Sequence, residues 1–292
     1  MFSLTIDTDA GRRPPLPDPG SRGIEVWRDG SGRIGALGER RGSRSWMHLL
    51  RVATYEFAPG SPEVVAHAVD GASDAVVVDQ YYRTVLPMVL QARGHEVLHA
   101  SAVLSAAGVV AFCATSQSGK STLAFALGER GLAPWADDAV AFEADASEVA
   151  ALQVPFDLRL RPASAAHFGQ ARTVPFGRGG REAGQPLDLD RRPFAALFVL
   201  HRELEPAPGR EVSLRRLAAG TAVTAALEHA HCFTLDDAER KRRMMEHYLA
   251  LAARLPVYEL RFPTGLEHLA AMAEAVERAL GATGHAAPAG AR

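Results

Sequence analysis

The sequence predicts a mixed α/β protein, and three features of the chain support this prediction. A strand, a loop, a helix and a second strand follow one another between residues 108 and 142, which is the pattern of an α/β unit. Two apolar runs, at 194–200 and 257–262, have the length and composition of core strands. Two further segments, 236–254 and 264–280, carry apolar residues at helical spacing. Alternation of strands and helices on this scale indicates a sheet covered by helices.

Composition and charge exclude several classes of protein. The 292 residues are 47% hydrophobic and 23% charged, so the chain can bury a core and does not have the composition of a disordered protein. The net charge of −2 gives no broad electrostatic reason to bind nucleic acid or an anionic membrane surface. The 2 cysteines cannot form a disulfide framework, and the first residues lack the apolar stretch of a secretory signal. We therefore expect a cytoplasmic protein with no nucleic-acid or membrane partner; the sequence leaves open whether it forms a homo-oligomer.

By composition the chain divides into an N-terminal region, a core domain and a tail. Short β-prone runs separated by Gly, Ser and Pro occupy much of the first region, so residues 1–78 are predicted to be β-rich. The core domain, residues 79–282, opens with a helical stripe from Asp79 to Arg93, which Pro87 is expected to kink or split. The last residues, 283–292, are small and unpatterned, and we predict that they form a disordered tail.

A β-hairpin is predicted immediately before the most informative segment of the chain. Two apolar runs flank the small-residue turn Ser105 to Gly108. If Leu104 faces Val109, the antiparallel register places His99 opposite Ala114, at the mouth of the loop that follows. His99 is therefore a candidate catalytic residue. The alternative, a hydrogen-bonded histidine with a purely structural role in its strand, stays open.

The loop after this hairpin has the pattern of a phosphate-binding loop. The segment ATSQSGKST fits GxxxxGK[ST] at Gly119, Lys120 and Ser121, with Ala114 at the position of the first glycine. In such loops successive backbone N–H groups surround a phosphate at a helix N-terminus, the lysine contacts the outer phosphates, and the hydroxyl helps to hold Mg²⁺. A strand leads into the segment and an apolar-faced helix leaves it, which favours this interpretation over an ordinary loop. The candidate nucleotide-binding residues are Ala114, Thr115, Ser116, Gln117, Ser118, Gly119, Lys120, Ser121 and Thr122.

Two adjacent aspartates follow the loop at a spacing that predicts a position near the bound phosphates. Asp137 and Asp138 come 17 and 18 positions after Lys120, enough for one helix and a strand that returns beside the first strand. Mg²⁺ in nucleotide sites takes one or two protein carboxylates, and a second carboxylate could accept the proton of an attacking hydroxyl. We therefore predict that Ser121, Asp137 and Asp138 serve the metal, and that Lys120 and the two aspartates are catalytic. The sequence does not show which aspartate does which, and an exposed turn is the alternative.

Other charged groups carry weaker signals. Arg159 and Arg161 lie on one face of a predicted strand, where they could grip an anion or simply be solvated. A glycine-rich loop at 174–185 could be a flap over a substrate or a plain flexible loop. His229 and its neighbours in the run HAHC have no second pair of ligands at metal spacing, so no zinc site is predicted.

With the segments LHASAV, ATSQSGKSTLAFAL and ADDAVAF in view, the chain resembles the HPr kinase/phosphorylase-related kinases. Weaker similarity extends from about Val85 to Val276. The resemblance implies an HPr kinase/PEP carboxykinase-like core with a mixed sheet. It also implies an ATP- and Mg²⁺-dependent kinase that phosphorylates a serine hydroxyl, with Lys120 on the phosphates, Ser121 and one aspartate on Mg²⁺, the other aspartate as base, and His99 in the active site.

Within this family the chain looks more like the shorter kinases found with peptide-modification pathways. Thr122 follows the GKS triplet where HPr kinases have glutamate, and their glycine-rich EIRG-type signature is absent. The implied acceptor is therefore a serine of a peptide, a protein or a small molecule rather than HPr. Two other functions stay open: a nucleotide-binding regulatory module without phosphotransfer, suggested by Ala114, and a nucleotide hydrolase.

Overall fold

The computed structural model describes residues 3–115, 117–145, 147–176, 183–184, 189–204, 211–233 and 237–283. The chain forms two compact units. The first comprises Met1–Val97, Arg178–Asp190 and His231–Glu246, and the second comprises Leu98–Gly177, Arg191–Ala230 and His247–Arg292. The segment 79–97, which we assigned to the core domain from the sequence, belongs to the first unit. Residues 284–292 of the predicted tail lie outside the described residues.

The first unit contains a six-stranded sheet within the region predicted to be β-rich. Its strands are β1 (Ser3–Asp7), β2 (Glu25–Arg28), β3 (Ile34–Arg41), β4 (Arg44–Leu49), β5 (Ala53–Phe57) and β6 (Glu63–Ala68). They lie in the order β1-β6-β5-β4-β3-β2, and all neighbours are antiparallel except β1 and β6. Gly38 on β3 has no room for a side chain, because an added Cβ would lie 2.7 Å from the rings of Trp27 and Phe233. This glycine lets two aromatic rings pack directly on the sheet.

A helical segment follows this sheet and is divided near Pro87. It consists of α1 (Asp74–Gln80), a π-helical turn (Tyr81–Val85) and α2 (Leu86–Ala92). The kink or split expected near Pro87 takes the form of the π-helical turn before it: the residues that flank this turn keep a helical backbone, and Pro87 lies in the first turn of α2. The Tyr55 hydroxyl donates to the carbonyl of Val77 at 2.8 Å and links the segment to β5. Strand β7 (Glu96–Leu98) then leads into the second unit.

The second unit contains a mixed sheet with helices, so the predicted α/β class is confirmed. Its strands are β8 (Ala100–Ser105), β9 (Gly108–Cys113), β10 (Ala133–Ala136), β11 (Val140–Ala144), β12 (Val149–Leu152), β13 (Phe156–Arg159), β14 (Thr173–Phe176), β15 (Arg191–Glu203), β16 (Ser213–Arg216) and β17 (Val257–Pro263). The order is β10-β8-β9-β15-β12-β11; β15 also pairs with β17, and β16 pairs with β17. Strand β15 runs parallel to β9 and β17, while the other pairings within this sheet are antiparallel. Strands β13 and β14 form a separate pair.

Helices α3 (Lys120–Glu129), α4 (Pro162–Phe168), α5 (Ala219–Leu227) and α7 (Leu269–Thr283) belong to the second unit, and α6 (Ala238–Arg254) contains a unit boundary. Leu123 and Leu127 of α3 share one buried core with Phe112, Phe198 and Val276. The rings of Phe112 and Phe198 are 5.7 Å apart at their centroids. Because α3 is anchored through these apolar contacts, its first residues stay at the end of β9. In the described part of the chain, no helix has the combination of length and apolar content needed to cross a membrane.

The predicted hairpin register is confirmed, but the following strand differs from the prediction. Leu104 pairs with Val109, as expected. The single strand predicted through the two aspartates is instead divided into β10 and β11, because Asp138 has a left-handed backbone with φ of 64°. Strand β10 pairs with β8 and not with β9, whose neighbours are β8 and β15. The expectation that the returning strand lies beside β9 is therefore wrong. The helix predicted from residue 264 begins at Leu269, after a short 3-10 turn.

Candidate functional site

The candidate site is built around the loop that joins β9 to α3. Ala114 is fully buried at the end of β9, and Gly119 with φ of 90° precedes the first residue of α3. Among described residues other than glycine, only Gln117 and Asp138 have positive φ, so alanine at position 114 needs no left-handed conformation. The Thr115 and Ser118 hydroxyls lie 2.8 Å apart across the loop. Ser116 lies outside the described residues.

The side chain of Lys120 folds back into this loop. Its Nζ donates to the carbonyl of Ala114 at 3.1 Å and to that of Thr115 at 3.4 Å. A third partner is Nε2 of His99, also at 3.1 Å. Burial lowers the pKa of the Lys120 ammonium, because few water molecules can solvate its charge. The loop thus contains a poorly solvated cation held by neutral acceptors, an arrangement that an anion would stabilise.

His99 lies beside Lys120, as the hairpin register predicts. Its Nδ1 is 3.1 Å from the carbonyl oxygen of Asp138, which can only accept, so Nδ1 carries the proton. Nε2 is then free to accept from Lys120, and the ring is neutral. Burial and, secondarily, the positive charge of Lys120 lower the pKa of His99, which is consistent with this tautomer. The imidazole therefore positions the ammonium from one side while the Asp138 main chain positions the imidazole.

Asp137 is a buried carboxylate held by three donors. Ser101 Oγ donates to Oδ1 at 2.5 Å, Ser121 Oγ donates to the same oxygen at 2.7 Å, and the backbone N–H of Arg159 donates to Oδ2 at 2.9 Å. Burial raises the pKa of Asp137, the neighbouring Asp138 charge adds to this effect, and the three hydrogen bonds oppose it. A cation at this carboxylate would offset the same desolvation that raises its pKa.

Asp138 differs from Asp137 in exposure, in backbone conformation and in its contacts. It is partly exposed, its backbone is left-handed, and its carbonyl holds His99. Its negative charge acts to raise the pKa of Lys120 and of Asp137. The two adjacent aspartates therefore present one buried carboxylate and one accessible carboxylate.

The structure brings together most of the residues predicted for the site and adds others. Ser101 and the main chain of Arg159 were not predicted to hold Asp137. Ser101 lies two residues from His99 in an extended segment, where alternate residues share a face, so the sequence contained a usable signal. Arg202 at the end of β15 donates through Nη1 to the carbonyl of Gln117 at 3.1 Å, a contact with no sequence signal.

Other predicted residues have different positions. Thr122 faces α4, where its hydroxyl lies 2.9 Å from that of Ser164. Arg161 is exposed, has an extended backbone and precedes the first residue of α4. Of the glycine-rich loop at 174–185, residues 177–182 and 185 lie outside the described residues.

His229 joins the surroundings of the site although no sequence pattern selects it. Its carbonyl accepts from the backbone N–H of His99 at 2.7 Å. Burial and, secondarily, the positive charge of Lys120 lower the pKa of His229 to about 4. In the described residues no group of three or more His, Cys, Asp or Glu side chains is placed to hold a metal ion.

No family model matches the chain, and no curated protein matches it. Among solved structures the chain is similar to the HPr(Ser) kinase/phosphatase from Coxiella burnetii, with 13% sequence identity and a TM-score of 0.33. The match covers 64% of this chain and 98% of that chain.

Proposed function

We propose that this chain is an ATP-dependent, Mg²⁺-requiring kinase that transfers the γ-phosphoryl group to a hydroxyl, with serine of a peptide, protein or small molecule as the acceptor. One observation carries the proposal. Lys120 and Ser121, consecutive at the start of α3, contact two different functional groups: Lys120 reaches His99 at 3.1 Å and Ser121 reaches Asp137 at 2.7 Å. An ammonium and a hydroxyl–carboxylate pair at one helix N-terminus suit a nucleotide phosphate and its cation.

Phosphate binding is attributed to the loop and to Lys120. The N-terminus of α3 carries the positive end of the helix dipole, and Gly119 permits the left-handed turn that brings the chain into the helix. A phosphate oxygen would replace the carbonyls of Ala114 and Thr115 as the acceptor for Lys120. Because the ammonium is already poorly solvated, it loses little hydration when it makes this exchange.

Mg²⁺ is attributed to Ser121 and Asp137. The donor set present fits this ion: one hydroxyl and one carboxylate oxygen lie 2.7 Å apart, and Mg²⁺ usually completes its shell with phosphate oxygens and water. Nitrogen and sulfur ligands typical of zinc are not offered by these two residues. The bound cation would neutralise charge on the transferring phosphoryl group.

Proton removal is attributed to Asp138, with His99 and Lys120 positioning the phosphate. The acceptor O–H proton would pass to the accessible Asp138 carboxylate as the acceptor oxygen bonds to the γ-phosphorus and the bond to ADP breaks. Asp137 is less suited to this role, because its carboxylate is buried and already accepts hydrogen bonds from three donors. His99, neutral and hydrogen-bonded on both nitrogens, orients Lys120.

A mass-spectrometric assay with ATP, Mg²⁺ and a panel of serine-containing peptides and small alcohols tests the proposal. We compare the wild type with Lys120→Ala and with a matched control, Lys241→Ala, which removes an exposed lysine from α6. The wild type and the control should add one phosphate to an acceptor, and Lys120→Ala should reduce the rate by about 10²-fold or more.

Other outcomes of this assay reject the kinase assignment in distinct ways. ATP binding without any phosphorylated acceptor indicates the regulatory module. Steady release of inorganic phosphate without acceptor indicates the hydrolase. Equal activity in Lys120→Ala and Lys241→Ala shows that the loop is not the phosphate site.

A further inference from the structure

A second charged site occurs in the first unit, in a cavity of about 250 Å³. Four arginines line it: Arg40, Arg93, Arg240 and Arg243. They come from strand β3, from the end of α2 and from helix α6, so separate elements place their guanidinium groups around one space. Asp237 is the one acidic side chain among the described lining residues. The cavity shares no residue with the candidate kinase site.

Two of these arginines are fixed by carboxylates of their own. Arg240 is buried and makes two hydrogen bonds of 2.7 Å to the fully buried Glu96. Arg40 donates to Asp237 at 2.5 Å, and Asp237 also accepts from the backbone N–H of Arg240 at 3.0 Å. These contacts fix the guanidinium groups of Arg240 and Arg40 at the cavity wall, because each group is held by a carboxylate that makes two hydrogen bonds.

The other two arginines differ in their surroundings. Arg243 is 3.8 Å from Glu239, but that carboxylate lies closer to Arg242, at 2.7 Å. Burial lowers the pKa of Arg93, which indicates that water solvates its charge poorly. The lining therefore presents four guanidinium groups, of which Arg240 and Arg40 are paired with Glu96 and Asp237, and an anion that enters would replace the hydration that Arg93 has lost.

The remaining wall is mostly apolar, with Pro59, Ala92 and Phe233 in its lining and one hydroxyl from Ser45. Phe233 is buried and stacks on Trp27 with a centroid distance of 6.3 Å. The ring of Phe57 also contacts that of Phe233, with 5.9 Å between the two centroids. A cavity with cations on one side and a fixed aromatic ring on the other suits a small organic anion better than a bare ion.

We propose that this cavity binds a small organic oxyanion, a phosphate monoester or a carboxylate that carries an apolar group. Guanidinium groups match both head groups, because their paired N–H donors align with two oxygens. The apolar part of the ligand would contact Phe233. A volume of about 250 Å³ limits the apolar part of the ligand to about the size of one phenyl ring.

Isothermal titration calorimetry on the full chain at physiological ionic strength tests this site. The probes are phenyl phosphate, 3-phenylpropionate and inorganic phosphate. All titrations use the Lys120→Ala background, which removes the lysine of the loop and so separates this test from the proposed kinase function. We expect phenyl phosphate or 3-phenylpropionate to bind, with inorganic phosphate weaker because it lacks the apolar part. The tighter of the two organic probes identifies the head group.

Two neighbouring arginines of α6 provide a matched pair of variants. Arg243→Gln removes a lining charge, while Arg242→Gln removes the same charge one residue away, outside the cavity lining. Both side chains are about half exposed, at 48% and 57%, so neither change should unfold the protein. Arg243→Gln should weaken binding by about tenfold and Arg242→Gln by less than about twofold. Absence of binding in the Lys120→Ala background, or equal losses in the two variants, would overturn the proposal.

Discussion

Replacement of Ser101 by alanine tests the arrangement of the candidate site through stability rather than activity. The Ser101 hydroxyl is fully buried and donates to Asp137 Oδ1 at 2.5 Å. A hydrogen bond to a charged group contributes about 1.5–3 kcal/mol, against about 0.5–1.5 kcal/mol for a neutral one. At pH values at which the carboxylate is ionised, Ser101→Ala should therefore lower the free energy of unfolding by about 1.5–3 kcal/mol.

The same change has a defined pH dependence. Burial raises the pKa of Asp137 and the hydrogen bond from Ser101 opposes this effect, so the pKa should rise further in the variant. A carboxyl group whose pKa is raised on folding contributes stability that is present at low pH and is lost as the pH rises through the folded-state pKa. The difference between wild type and variant should therefore be largest where the carboxylate is ionised and decrease as the pH falls below the raised pKa.

Urea unfolding at a series of pH values measures both effects. Ser105→Ala is the matched control, because its hydroxyl bonds to the Gly108 carbonyl in the hairpin turn and touches no carboxylate. That control should show a small change with no dependence on pH. A Ser101→Ala variant as stable as the wild type at every pH of the series, or a difference that grows on acidification, would refute the role assigned to this hydrogen bond.

Three further measurements test other parts of the structure. Folding lowers the pKa of His229 from 6.5 to about 4, so the contribution of this residue to stability should be complete above pH 6.5 and should decrease by at most about 3 kcal/mol as the pH falls toward 4. His229→Asn should reduce this pH dependence of the free energy of unfolding, measured with urea. An unchanged pH dependence would contradict the assignment. Burial raises the pKa of Cys113 to about 12, so its thiol should resist a thiol reagent in the native protein and react only after denaturation. Mass spectrometry, by counting the labelled cysteines before and after denaturation, tests this expectation. The ring of Phe198 is fully buried between Phe112 and Tyr258. Phe198→Ala should therefore lower the free energy of unfolding by about 3–5 kcal/mol. A loss below about 1 kcal/mol would show that the ring is not in the core.

The parts of the site that the sequence predicts are those that depend on local rules. The hairpin register follows from its short turn, and that register alone predicts that His99 lies close to the loop. Gly119 and Lys120 belong to a pattern whose backbone geometry is set within a few residues. Ser101 could have been found by the same reasoning, since it shares a face with His99.

The parts that the sequence does not predict depend on tertiary packing. The position of β10 beside β8 is a property of the whole sheet, and no residue of β10 encodes it. Arg202 contacts the loop only because β15 runs parallel to β9, which brings the ends of both strands to the same edge. The cavity in the first unit is assembled from segments as distant in the chain as Arg40 and Arg243, so no local motif marks it.

The backbone reversal at Asp138 explains how two adjacent aspartates can have different tasks. In a continuous strand, neighbouring side chains point to opposite faces, and only one of the pair could reach the site. The left-handed conformation of Asp138 ends β10 and turns its carbonyl toward His99, while Asp137 remains bonded to Ser121. A non-glycine residue in this region costs roughly 1 kcal/mol or more, and such strain persists where surrounding contacts impose it. The left-handed turn at Asp138 thus lets consecutive residues contact both His99, which lies beside Lys120, and Ser121. For this reason the proposed phosphate and metal contacts lie together at the start of α3.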